Sequence, residues 1–197
     1  MCVQNVLQIV HVKFGLHAVN ESVGPSYRDN VNMSTDRSAV VSLSEGEKAI
    51  IRRTWAVASK DMAGNGANIL LKMFETNPDT KKVFAKFRDI PDNQLRSTPR
   101  FRAHVTRVMA SISTVVSSLD DQEALLDLFT DIGKKHHPPR VPAEYFNVIA
   151  AAILCMLQRC LGADYTAEVD AAWTKLYGSL SRHAKDGLRE AAAVKAP

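Results

Sequence analysis

Ser97-Thr98-Pro99-Arg100-Phe101-Arg102-Ala103-His104-Val105-Thr106-Arg107-Val108-Met109 reads as the opening of an amphipathic helix that carries an imidazole on its apolar side. Proline suits the first helical position, because the amide it lacks would be unpaired there and its fixed φ is already helical. Phe101, His104, Val105, Val108, Met109 and Ile112 then recur at steps of three and four, which lays them along one face. His136 follows 32 positions after His104, in Gly133-Lys134-Lys135-His136-His137-Pro138-Pro139. The prolines end that helix, and a histidine in the last turn beside a forced break can turn its ring out toward a ligand. Two imidazoles on successive helices suggest a metal held between them.

Every long stretch from Ser44 onward has helical periodicity. Ser44 with Glu47 three residues on forms a capping box ahead of Ile50, Ile51 and Trp55. Ile69, Leu70, Met73 and Phe74 stripe a second helix, with Gly64 and Gly66 upstream where another backbone can approach closely. Gly64-Asn65-Gly66 lacks the third glycine and the preceding strand of a phosphate cradle, so helix packing is the better reading. Asn77-Pro78 begins a short turn that runs to Phe84 and Phe87. Leu125, Leu126, Phe129 and Ile132 line the helix that ends at His136. Phe146, Ile149, Ala150, Ile153, Leu157 and Cys160 line the next, which Gly162 stops. Val169, Ala172, Trp173, Leu176, Tyr177 and Leu180 repeat the pattern in the last helix, where His183 is expected to face solvent and Trp173, like Trp55, to anchor the core. No strand-like alternation follows residue 43, and the fold class is all-α.

Composition narrows the function classes. The 25 Lys and Arg against 21 Asp and Glu leave +4, without a block of like charge or a basic run interleaved with aromatics, which argues against nucleic acid as a partner. Of the three cysteines, Cys155 and Cys160 fall five apart on one helix and Cys2 lies near the start, so a reduced, cytoplasmic protein fits better than a disulfide scaffold. No run of 18 apolar residues occurs. Residues 1–43 are expected as a mostly disordered extension, 44–190 as one domain and 191–197 as a short tail. The apolar start of the extension leaves several readings open: a signal peptide, an amphipathic segment, an acylation site at Cys2, or an upstream start with Met33 as the working one. Membrane attachment through it is the weaker expectation. No His-Glu-x-x-His or paired Cys-x-x-Cys spacing supports zinc, and nothing in the sequence fixes an oligomeric state.

Taken jointly, these motifs resemble the globins over about residues 44–187. Pro78 followed by Phe84 and Phe87 resembles the globin C helix and its corner. Phe101-x-x-His104-x-x-Arg107-Val108 resembles the distal helix. Gly133-x-x-His136 with Val141 resembles the proximal segment, and the interval between the histidines is similar to that of neuroglobin-like and cytoglobin-like members. The resemblance implies a three-over-three helical sandwich around haem b (iron protoporphyrin IX). It makes His136 the proximal iron ligand and His104 the distal residue, which either donates a hydrogen bond to bound oxygen or itself takes the metal. It places Leu70 and Val108 in the distal pocket, Phe84 and Phe87 against the porphyrin, and Ile132, Val141, Phe146, Ile149 and Ile153 on the proximal side. Arg107, and more weakly Lys135, are expected at a propionate. The function implied is reversible binding of O2, with CO and NO as further ligands, for carriage or storage. The alternative is a bis-histidyl globin in redox, NO or nitrite chemistry or in gas sensing.

The chain departs from the simplest globins in its extension and in Pro138-Pro139-Arg140 after the proximal helix.

Overall fold

The computed structural model describes residues 42–138 and 140–194. The readings of residues 1–41, including those on Cys2 and Met33, lie outside them, as does Pro139. Eight α-helices and no strands make up the described residues: α1 (Glu45–Ala58), α2 (Met62–Thr76), α3 (Asp79–Lys82), α4 (Asp92–Leu95), α5 (Pro99–Ser117), α6 (Gln122–His136), α7 (Tyr145–Leu161) and α8 (Ala167–Ala193). Single 3-10 turns at Ser59–Asp61 and Gly162–Asp164 join α1 to α2 and α7 to α8.

The helix ends follow from short polar side chains. Ser44 accepts from the Glu47 amide while the Glu47 carboxylate accepts from the Ser44 amide, at 3.2 and 2.7 Å, which completes the capping box. Asp61 and Asp121 cap α2 and α6, accepting from the amides of Gly64 and Ala124. Thr166 does the same for α8 through Val169. Pro99 opens α5, and Gly162, at φ 56°, closes α7.

α7 forms the centre. Its run from Phe146 to Leu157 is buried apart from the partly covered Ile149, so it has the length and apolarity of a membrane span while facing protein on most sides. It packs on α2, α1 and α8. Trp173 lies fully buried in α8, donates its indole N–H to Thr54 Oγ1 at 2.9 Å and faces Trp55 at 6.2 Å between ring centroids. Both tryptophans are core anchors, as expected. α5 crosses α2 at Gly66, where a Cβ would approach Met109 Cγ and Val105 Cγ1 to 2.6 and 2.7 Å. Gly64 instead sits over its capping aspartate, so of the two glycines Gly66 alone makes the interhelical approach.

Candidate functional site

His104 and His136 come from α5 and α6 and lie near enough for His136 to act on the charge of His104. The position of His104 follows from the crossing at Gly66, since Val105 is the next residue on α5. Its ring packs edge-on against Phe84 at 5.1 Å and tilts against Phe87 at 6.5 Å. Those two phenylalanines stack at 5.0 Å. Phe74 backs Phe84 and Phe101 backs Phe87, at 5.4 and 5.6 Å. The sequence placed Phe74 only in the core stripe of its helix and Phe101 in the distal-helix pattern, and both back the aromatic wall.

Burial, then the nearby Arg107 guanidinium and His136, lower the His104 pKa from the ordinary histidine value to about 4. At neutral pH its ring is therefore uncharged and keeps a lone pair. Arg107, three residues further along the same helix face, remains exposed.

His136 is the last residue of α6, and its Nδ1 lies 2.7 Å from the carbonyl oxygen of Ile132. A carbonyl oxygen only accepts, so in the neutral ring the proton sits on Nδ1 and Nε2 carries the lone pair. Such a bond fixes the tautomer and orientation of a metal-ligating histidine. Phe146 packs edge-on against the same ring at 5.6 Å. Beyond the histidine, Val141 N–H donates to the His136 carbonyl and Arg140 N–H to that of His137, around Arg140 at φ 54°. This is a Schellman closure with arginine in the left-handed position that glycine usually fills.

The remaining expected site residues divide by cover. Phe84, Val108 and Ile149 are only partly buried and pack at the edge of the core, while Ile132 and Val141 are partly buried beside His136. Leu70 and Ile153 are fully buried and belong to the core itself, and Phe87 and Phe146 lie near that limit. Lys135 is exposed and pairs with Asp131 at 3.7 Å. His183 differs from expectation: it is half-buried, with Nε2 shielded from solvent, because α8 runs along α6 in this region.

The donor set suits an iron porphyrin. Among the described residues no three His, Cys, Asp or Glu side chains converge, so a bare cation would find two imidazoles. An iron already holding four porphyrin nitrogens needs axial donors only. The partly covered apolar side chains Phe84, Val108 and Ile149 at the edge of the core offer the lining that a flat apolar group would complete.

A family model described as Globin matches residues 67–184. The chain belongs to the globin family. As a globin it is a haem protein of the class that binds diatomic gases such as O2. This globin is 32% identical to cytoglobin-2 of Danio rerio over 155 residues, 78% of this chain and 87% of the relative. It is 34% identical to neuroglobin of the same fish over 136 residues, 68% and 86% of the two chains. Among solved structures it is similar to the hexacoordinate haemoglobin of Drosophila melanogaster, at 27% identity and a TM-score of 0.67, covering 72% of this globin and 93% of that chain.

Proposed function

We propose that this globin carries haem b with His136 as the proximal iron ligand and His104 on the distal side, and that it binds O2 reversibly. The observation that carries this reading is the bond from His136 Nδ1 to the Ile132 carbonyl, which leaves Nε2 as a preset donor at the end of α6. When bound, the porphyrin would supply an iron suited to diatomic ligands and one-electron redox. His136 would hold that iron through Nε2. Neutral His104, walled by Phe84 and Phe87, would donate a hydrogen bond to a diatomic ligand or hold the iron itself. Arg107, exposed on the His104 face, would pair with a haem propionate. Phe84, Val108 and Ile149, partly buried at the edge of the core, would line the site and exclude water. The odd count of three cysteines supports a cytoplasmic setting.

A second reading, in which His104 also ligates iron and the chain serves redox, NO or nitrite chemistry, has an observation of its own. His104 is unprotonated, partly buried and within the field of His136, and the Drosophila relative bears the description hexacoordinate. External ligands then displace an internal one, and their apparent affinity falls by the competent fraction.

Absorption spectra of hemin-reconstituted protein test both. A Soret band is expected, and the visible bands of the deoxygenated ferrous form report one axial imidazole or two. Replacing His136 with alanine is expected to abolish tight haem retention, whereas His104→Ala keeps haem and changes ligand rates. The reverse pattern would exchange the two assignments.

A further inference from the structure

We propose that Gly133 and Gly187 are positioning residues for the proximal ligand: they seat α6 on α8 at one fixed depth, and that depth sets how far the His136 imidazole stands from the iron. The proposal rests on the reading of His136 as the ligand.

A Cβ at position 133 would fall on the carbonyl oxygen of Ala184, with the Ala184 carbon and the Leu188 nitrogen at 2.8 and 2.9 Å. One at position 187 would fall on the carbonyl oxygen of Thr130, with the Thr130 carbon and Cα at 2.8 and 2.9 Å. The contact is thus reciprocal, each helix presenting a glycine to the backbone of the other. It differs in kind from the crossing at Gly66, where the neighbours are the side chains of Met109 and Val105, which can turn aside. It differs again from Gly178, also on α8, where a Cβ would meet nothing within 4 Å. Backbone cannot rotate away, so one added methyl must open the α6–α8 crossing by about 1.5 Å to restore ordinary contact.

Such a displacement reaches the imidazole because α6 has little else to hold it. Leu125 and Gly133 are its only fully buried residues, and α8 is the helix it chiefly packs against. Ile132, whose carbonyl orients the ring, adjoins Gly133, and His136 follows one turn later, about 4.5 Å along the axis. α8 also holds the other side of the ring. Ser181 Oγ donates to the Phe146 carbonyl at 3.2 Å and Lys185 Nζ to Asn147 Oδ1 at 2.8 Å, which fixes the start of α7 where Phe146 packs on His136. One helix therefore carries both the segment bearing the imidazole and the ring that braces it.

The test uses the full chain reconstituted with hemin, in a His104→Leu background that leaves one axial imidazole. Gly133→Ala, Gly187→Ala and Gly178→Ala are compared by the iron–imidazole stretching band of the ferrous protein and by the rate of haem transfer to excess apomyoglobin. The first two are expected to lower the band frequency and to release haem roughly tenfold faster or more, and Gly178→Ala to match its parent in both. Variants that only lower the melting temperature of the haem-free chain, with the band unmoved in the folded holoprotein, overturn the proposal. Should neither crossing variant fold, Ala184→Gly loosens α8 at the residue whose backbone carbonyl faces Gly133. It is expected to shift or broaden the band with the helix content retained, and an unchanged band there is equally fatal. His136→Gly separates the two claims. If it keeps the band, the ligand assignment falls. If it loses the band until free imidazole is added, while the crossing variants leave theirs unmoved, the positioning claim alone falls.

Discussion

His104 is a base kept neutral by its surroundings, and that has a measurable cost in acid. Its folded pKa of about 4 lies below the unfolded value of about 6.5, so between those limits the unfolded chain binds the additional proton. The stability of the haem-free protein is therefore expected to be fully present above pH 6.5 and to fall by up to about 3 kcal/mol as pH drops toward 4. His104→Leu should flatten this slope in urea titrations, and parallel curves for parent and variant would contradict the assignment. The spacing of the two histidines was legible because a helix repeats every 3.6 residues and Pro138 marks where α6 ends. The bond from His136 Nδ1 to Ile132 was available in the same way, since residues four apart on a helix are neighbours. The depressed pKa was not, because burial and the charges of Arg107 and His136 converge on the ring only after folding.

Helix ends carry the next set of expectations. Ser44→Ala removes the side chain that accepts from the Glu47 amide and should cost about 1 kcal/mol, read from the melting temperature. Glu47 gains from the same arrangement: its bond to the Ser44 amide, then Lys175, holds its carboxyl below the usual range. At the far end of α6, Arg140 occupies a left-handed conformation that burdens any side chain with a Cβ. Arg140→Gly should raise stability by about 1 kcal/mol without changing the spectrum of the holoprotein; a loss of stability would mean that the arginine side chain compensates for the strain. The long helices were legible from their apolar stripes. The four-residue α4 was not, as Asp92–Leu95 is too short to show a period. The Schellman closure was hidden because arginine is not the residue that signals one. Gly187 was passed over because a glycine within a helix reads only as a weak position until the facing backbone is seen.

Across the whole molecule, the globin sandwich was foreseeable from the order of the stripes, and what escaped was which stripe residues lie at the edge of the core and which inside it. Leu70 and Val108 have the same apolar character in the sequence, yet one is enclosed and the other only partly covered. Trp173→Ala, in the enclosed class, should cost about 3–5 kcal/mol in denaturant unfolding. Hemin should raise the melting temperature in a concentration-dependent manner, because it binds the folded chain alone. The neighbouring indoles of Trp55 and Trp173 also give the protein an internal lamp. Both emitters lie inside the same small body as the porphyrin, which absorbs where they shine, so the loaded protein should be dark in the ultraviolet and brighten as each molecule gives up its pigment. Haem departure can then be followed in real time with no added dye.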